Sequence, residues 1–117
     1  ALSGFGLAEW RSAGHGATNE VLALTGTTSS VIRFGPVIKS EFTVCSVTRY
    51  TGGGKGRILT GKGKHWMHGH SSGHAGVAYY VGWKTAKQDN VSPDTDWVVM
   101  CGTNAGSQLK LVNGADV

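Results

Sequence analysis

Short segments rich in apolar residues recur along the chain, and turn-forming residues separate them. Residues 41–50, EFTVCSVTRY, are rich in β-branched and aromatic side chains and are followed by the turn-like sequence TGGG. Residues 97–101, WVVMC, form an apolar run, and residues 108–112, QLKLV, place both leucines on one face. No segment sustains the 3.6-residue apolar repeat of a helix. The pattern therefore predicts an all-β fold.

Five shorter segments share this composition. They are residues 21–24, 30–34, 57–59, 66–70 and 77–81. Regularly spaced short strands separated by glycine turns are typical of an antiparallel sandwich or barrel. Because 117 residues is an ordinary length for one domain, we predict a single domain over residues 1–117.

The C-terminal segment contains a strong turn signal. Asn113-Gly114, after the strand predicted at residues 108–112, is typical of a two-residue type I′ hairpin. Only residues 115–117 follow, too few to pair with the whole preceding strand. We therefore expect this chain to be a fragment of a longer polypeptide. The edge after Asp116 would be covered by the missing strands or by a partner chain, because natural proteins avoid unpaired apolar edges.

The order of these segments resembles the LamG-like family, that is, the concanavalin A-like lectin/glucanase jelly roll. The resemblance rests on a central strand at Phe42-Thr43-Val44-Cys45, on Trp97-Val98-Val99 and on residues 109–114, LKLVNG. Residues 21–26 and 30–34 resemble the first hairpin of that family. The resemblance covers residues 21–117 and implies an antiparallel β-sandwich whose final strands are missing here. It also implies a secreted or lumenal module that binds glycans or proteins, less often a glycosidase, sometimes with calcium at the rim.

Composition and charge narrow the choice of partners. Glycine supplies 19 of the 117 residues, and the net charge at pH 7 is +4. Five basic residues fall within residues 49–64, which contain no acid: Arg49, Lys55, Arg57, Lys62 and Lys64. Such runs are usually solvated faces, so we expect no nucleic-acid partner. No apolar run approaches the roughly 20 residues that span a bilayer, so no transmembrane segment is predicted.

The richest chemistry lies in residues 65–74, HWMHGHSSGH. On a strand, Trp66, His68 and His70 project to one face. This face is interpreted as a half-exposed polar surface, as a sugar-binding surface with a tryptophan platform, or as part of a metal site. Zinc normally requires three or four ligands, and no nearby cysteine pair supplies them. We name these three residues and Trp83, which we expect to be exposed, as candidate ligand contacts.

The carboxylates give little support for catalysis. Glycosidases need two facing carboxylates about 5 to 10 Å apart, and the three glutamates, Glu9, Glu20 and Glu41, are far apart in the sequence. Asp94 and Asp96 lie in a turn before a predicted strand, where aspartate commonly bonds its own backbone. Calcium ligation is the second interpretation, so calcium is a candidate cofactor, and His68 and His70 are the other weak metal candidates.

Three further expectations concern single residues. Cys45 and Cys101 each lie in a predicted apolar strand, and we favour free buried thiols over a disulfide, although spacing cannot decide between them. Trp97, which begins an apolar strand, is expected in the core. Asn90-Val91-Ser92 is a glycosylation acceptor if the chain is secreted.

These observations favour a non-catalytic binding module, for carbohydrate or for adhesion, outside the cell or in an organelle lumen. Its partner is then a glycan or a protein. The alternative is a structural or accessory subunit docked in a larger multi-protein assembly, membrane-associated assemblies included. A glycoside hydrolase is the third and weakest hypothesis, and we predict no enzymatic activity.

Overall fold

All regular elements of the described residues are β-strands. The computed structural model of the chain describes residues 2–5, 8–63, 65–106 and 110–117. The strands are β1 (Leu2–Phe5), β2 (Glu9–Arg11), β3 (Val21–Ala23), β4 (Gly26–Ile32), β5 (Thr43–Thr48), β6 (Leu59–Thr60), β7 (Trp66–Ser71), β8 (His74–Tyr80), β9 (Val98–Thr103), β10 (Lys110–Val112) and β11 (Ala115–Asp116). Every pairing between them is antiparallel. The predicted all-β, antiparallel class is confirmed. These ranges hold no helix that is long and apolar enough to cross a membrane.

The chain divides into two compact units, Ala1–Lys39 and Ser40–Val117. The first unit is an irregular β-hairpin in which β1 pairs with β4 and β2 pairs with β3. Its two arms meet at His15 and Gly16, which lie between the bridged Gly14 and Ala17 and both have positive φ. A two-residue type I′ loop requires this backbone conformation at both positions.

One predicted pairing in this unit is wrong. Residues 21–26 and 30–34 were expected to form a hairpin with each other, but β3 and β4 lie on the same arm and pair with β2 and β1. The physical reason is the position of the turn. Gly26 lies within β4 as part of a strand, whereas the positive φ angles that reverse the chain occur at His15-Gly16.

The second unit contains two sheets, with strand orders β11-β10-β9-β5 and β6-β7-β8. Buried side chains from both sheets form one core: Trp66, Ala75, Ala78, Tyr80, Val91, Val98, Met100 and Val112. Phe42, just before β5, makes edge-on ring contacts with Trp66 and Tyr80 at centroid distances of 5.9 and 5.0 Å. The unit is therefore sandwich-like, and the shared core joins its two sheets.

The longest ladder of the first sheet joins β5 to β9 over six residue pairs. Along β5 the side chains alternate between half-buried and exposed, as a strand with one face on a core requires. The strands predicted at residues 41–50 and 97–101 are confirmed with shifted ends. The strand predicted at 108–112 is confirmed as β10, and residues 107–109 lie outside the described part of the chain.

The two cysteines lie directly opposite each other in this ladder and form a disulfide, with Cα atoms 4.1 Å apart. The expectation of free buried thiols is wrong. Cys45 is exposed because its neighbours Val44 and Ser46 take the inward positions of the alternating strand. The bridge therefore lies on the outer face of the sheet, away from the core.

Trp97 also differs from the prediction, because it is half-buried and lies outside the core cluster. The Arg49 guanidinium lies 5.5 Å from the centroid of its ring and donates a hydrogen bond to the Thr95 carbonyl (2.8 Å). Val98 and Met100 occupy the inward positions of β9 and are fully buried. Because successive side chains of a strand point to opposite faces, Trp97, one position before Val98, points outward.

The predicted Asn113-Gly114 hairpin is confirmed. β10 pairs with β11, with Val112 opposite Ala115, and both loop residues have positive φ. The Asn113 side chain accepts a hydrogen bond from the Val99 amide (2.8 Å) and donates one to the Trp97 carbonyl (3.4 Å). The hairpin loop is thus attached to the beginning of β9.

Gly102 lies beneath the hydroxyl group of Tyr80, and a methyl group at this position would collide with that oxygen. The same hydroxyl donates a hydrogen bond to Nδ1 of His68 (2.6 Å). We expect Gly102→Ala to displace Tyr80 and to lower the free energy of unfolding by about 2 kcal/mol, which is typical of an overpacked core. Equilibrium urea unfolding measures this loss.

Gly53→Ala is the matched control, because Gly53 is exposed and an added methyl group would meet no atom within 4 Å. Its effect should stay within about 0.5 kcal/mol. Equal losses in the two variants would contradict the steric explanation.

Candidate functional site

The face of β7 that carries Trp66, His68 and His70 lies in the interior of the second unit. Both histidines have no exposed surface, and Trp66 is 8 % exposed. The three residues do share one face, as the strand pattern predicts, but that face packs against the core. The interpretation as an open sugar-binding surface does not fit this placement, because fully buried imidazoles cannot reach a glycan.

His68 is a structural core residue whose two ring nitrogens are both hydrogen-bonded. Nε2 donates to the carbonyl of Met100 (3.1 Å), so Nδ1 accepts from the hydroxyl of Tyr80 (2.6 Å). Burial lowers the pKa of His68, which keeps the ring neutral. This arrangement leaves no nitrogen lone pair for a metal ion.

Only one of the two ring nitrogens of His70 has a hydrogen-bond partner among the described residues. Its Nδ1 shares a hydrogen bond with the hydroxyl of Thr48 (3.2 Å), whereas its Nε2 is buried and has no partner among the described residues. The ring of Tyr50 lies edge-on against it, with centroids 4.6 Å apart. Burial lowers the pKa of His70 to about 4, against the opposing effect of the Asp94 carboxylate.

The four weak metal candidates are not assembled into a ligand set. Asp94 forms an ion pair with Lys55 (Nζ to Oδ2, 2.6 Å), and the Asp96 amide donates to the Pro93 carbonyl (3.0 Å) within the predicted turn. Within the described ranges, no group of three or more His, Cys, Asp or Glu side chains is arranged to hold a metal ion.

A different surface of the second sheet forms an open cleft of about 180 Å³. Its lining residues come from β7, β8 and the segments beside them: Arg57, His65, Met67, Ser71, Tyr79 and Trp83. Met67 and Tyr79 lie opposite each other across β7 and β8, one position out of phase with the core residues Trp66 and Tyr80. The cleft therefore lies on the face of this sheet that turns away from the shared core.

Two aromatic rings form a corner in this cleft. Tyr79 and Trp83 are joined by an isolated bridge, and their rings are nearly perpendicular (87°) with centroids 5.5 Å apart. Trp83 is 41 % exposed, so the prediction of its exposure is confirmed. His65 lies edge-on to Tyr79 at 6.2 Å. This corner offers a ligand both aromatic surface and polar edges.

The cleft is basic. Arg57 is exposed at its lining, Lys87 lies with Nζ 5.6 Å from the centroid of the Trp83 ring, and none of the six lining residues is acidic. Two other members of the predicted basic run, Arg49 and Lys55, are engaged within the fold. Lys62 is exposed, and Lys64 lies outside the described residues. Of the predicted basic run, Arg57 supplies the positive charge in the lining of the cleft, and Lys87 adds a second cation from outside that run.

Sequence reasoning identified Trp83 and missed the other five lining residues. One signal was available, since the adjacent pair Tyr79-Tyr80 must place one ring on each face of a strand. The structure confirms this: Tyr80 is buried and Tyr79 is half-buried at the cleft. The other lining residues could not be predicted, because the sequence does not show which face of β7 and β8 packs against the core.

The candidate glycosylation residue Asn90 is half-buried and engaged. Its side-chain amide donates to the Gly76 carbonyl (2.7 Å), and its backbone amide donates to the Ala75 carbonyl (2.9 Å). In the folded chain this side chain therefore anchors the segment after Trp83 to β8.

Comparison with models of known protein families, with curated proteins and with solved structures found no match to this chain. The LamG-like resemblance therefore stays a prediction, and the function must be inferred from the geometry of the cleft.

Proposed function

We propose that this chain is a non-catalytic binding module that holds a carbohydrate in the cleft beside Trp83. The observation that carries the proposal is the aromatic corner of Tyr79 and Trp83 with Arg57 and His65 in the same cleft. Apolar ring surface combined with a few polar groups is the usual composition of a small-ligand site. At about 180 Å³ the cleft is smaller than sites for drug-sized ligands, which favours a single sugar ring.

The charge of the cleft favours an acidic sugar. Arg57 lines the cleft, Lys87 lies over the Trp83 ring, and the lining holds no carboxylate that would repel an anion. An arginine guanidinium binds carboxylate or sulfate groups through paired hydrogen bonds. The ligand proposed is therefore a glycan whose terminal ring carries a carboxylate or a sulfate.

The fold and the disulfide support the same class of protein. Two antiparallel sheets around one core are compatible with a LamG-like jelly roll, which we propose as the fold family. The Cys45–Cys101 bridge supports an extracellular or lumenal location, because disulfides persist in oxidising compartments.

The first test is a panel of neutral, carboxylated and sulfated sugars, followed by Trp83→Ala. We expect an acidic sugar to bind and the variant to lose at least about tenfold in affinity by calorimetry, because tryptophans at the centre of a site commonly contribute more than about 1.4 kcal/mol. Circular dichroism should show that the variant remains folded.

Trp10→Ala is the matched control, since Trp10 is 67 % exposed and belongs to the first unit. It should bind the sugar like the unmodified chain. Failure of the whole panel would refute carbohydrate binding, and equal losses in both variants would refute the assignment of the cleft.

A specific observation favours the accessory-subunit hypothesis as second candidate. Trp10 and Leu22 lie opposite each other on β2 and β3 and are 67 % and 56 % exposed. Exposed apolar surface of this kind can mark an interface between proteins. In that case Trp10→Ala would weaken capture of a protein partner, whereas Trp83→Ala would not.

A further inference from the structure

A set of partly buried contacts holds the segment that brings Arg57 to the cleft. The hydroxyl of Tyr50, which is 4 % exposed, donates to the Gly56 carbonyl (2.5 Å) and lies 3.4 Å from the Lys55 carbonyl. The Lys55 carbonyl also accepts from the Gly73 amide (3.0 Å). Residues 55 and 56 are therefore fixed by Tyr50 and Gly73, and Arg57 follows directly.

A charged contact adds to this attachment. Lys55 Nζ lies 2.6 Å from Oδ2 of Asp94, and both side chains are partly shielded from water. Before this anchored segment, residues 51–54 form an exposed, glycine-rich loop. Without these contacts, residues 55–57 would be attached only to this loop and to β6, which begins at Leu59. The position of Arg57 between them therefore depends on the contacts that Tyr50 makes.

The ring of Tyr50 is in turn supported by His70. The two rings meet edge-on at 4.6 Å, and His70 has no exposed surface. Its Nε2 lacks a partner among the described residues, which a neutral imidazole can tolerate as an acceptor. A protonated ring would instead bury an N–H donor and a positive charge with no acceptor, which is far more costly.

The groups around His70 set the direction of its response. Asp94 and Asp89, from the segment after β8, favour the protonated ring, whereas burial and the neighbouring His68 on β7 disfavour it. Burial dominates and lowers the pKa of His70 to about 4. Thr48 and Tyr50 face the ring as neutral groups, since burial raises the pKa of the Tyr50 phenol.

We propose that residues 55–57 form a pH-sensitive arm, held in place while His70 is neutral and released when His70 is protonated. Release gives the imidazolium access to water and to the Asp94 carboxylate, which then leaves Lys55. Arg57 departs from the cleft with the arm. The consequence for ligand affinity rests on the proposed function, whereas the movement of the arm does not.

The movement is tested by hydrogen exchange of the Gly73 amide, which reports its bond to the Lys55 carbonyl. In the open form of the arm, His70 is exposed and has its ordinary pKa of 6.5. The equilibrium constant for opening should therefore rise about tenfold for each unit by which the pH falls from 6.5 to about 4. The protection factor, corrected for intrinsic exchange, should fall to the same extent. The amides of β9 should stay better protected than Gly73 throughout, because the opening is local.

His70→Phe removes the titrating group and keeps a ring beneath Tyr50, so the protection of Gly73 should become independent of pH. His74→Gln is the matched control and should behave like the unmodified chain. His74 is exposed with its Nδ1 3.6 Å from Oδ2 of Asp89, so this variant removes a neighbouring imidazole but leaves the one beneath Tyr50 in place. If His70→Phe fails to fold, Tyr50→Phe replaces it: it retains the ring contact, loses the hydroxyl and should leave Gly73 at least tenfold less protected at neutral pH. A pH-independent Gly73 in the unmodified chain, or protection equal to that of β9, would overturn the arm.

Ligand affinity is measured separately, with a sulfated monosaccharide as the probe because its charge is constant over this range. The unmodified chain is compared with His70→Phe, and both proteins retain His65 in the lining of the cleft. Between pH 6.5 and about 4, affinity should fall at least twofold more in the unmodified chain than in His70→Phe. Absence of binding at neutral pH would refute the proposed function but not the arm, whereas binding that is unchanged while Gly73 loses protection would refute the role of Arg57.

Discussion

Replacing both cysteines by alanine should lower the free energy of unfolding by about 4 kcal/mol. Cys45 and Cys101 are 56 residues apart, so their bridge closes a long loop and restricts the unfolded chain. The folded ladder should survive, because β5 and β9 are joined over six residue pairs. The cysteines lie on the outer face, so their truncation creates no cavity in the core.

Equilibrium urea unfolding of the oxidised protein, the reduced protein and the double variant measures this effect. The last two should agree within about 0.5 kcal/mol, since both lack the bridge and the thiols by which they differ lie on the outer face. Val47→Ala/Val99→Ala is the matched control, because these residues face each other on the same exposed face without a covalent link. It should lose about 1 kcal/mol at most. A cysteine variant that loses no more than this control would show that the bridge contributes little.

Acidification from pH 6.5 to about 4 should remove about 3 kcal/mol of stability through His70 alone. The folded-state pKa is lowered to about 4, whereas the unfolded chain has the ordinary value of 6.5. The unfolded state therefore binds the proton first as the pH falls. Stability is complete above pH 6.5, declines by about 1.4 kcal/mol per pH unit below it and stops responding to this residue below about pH 4.

The measurement is a series of urea unfolding curves across this range. Burial also lowers the pKa of His68, so the unmodified chain should lose stability more steeply than one proton per molecule predicts. His70→Phe should reduce that slope by about one proton relative to the unmodified chain. Identical slopes for the two proteins would contradict the burial of a neutral His70.

The strands were predictable from sequence because their signals are local. The composition of residues 41–50 and the turn at Asn113-Gly114 each determine an element without reference to distant residues. The pairing of β3 was not predictable in this way, since it depended on which of several turns has positive φ at two successive residues. His15-Gly16 has this property and contains no asparagine to mark it.

The site was only partly predictable for a related reason. A period of two shows that Trp66, His68 and His70 share one face, but it does not show which face the other sheet covers. Histidine is intermediate in its tendency to be buried, so the pattern favoured a half-exposed face. The structure buries these residues by supplying hydrogen bonds from Tyr80, Met100 and Thr48, and these partners become visible only in three dimensions.

The hairpin at Asn113-Gly114 has a consequence for the chemical ageing of the protein. Asparagine before glycine is prone to deamidation, in which the following amide nitrogen attacks the side-chain carbonyl carbon and ammonia is lost. Here the Asn113 side chain is held by the Val99 amide and the Trp97 carbonyl, away from that attack. The aspartate product could not donate to Trp97, so one contact of the loop would be lost. Deamidation at this residue is therefore slow in the folded chain and fast in the unfolded one, and its accumulation over storage records how often the hairpin loop has detached from the beginning of β9.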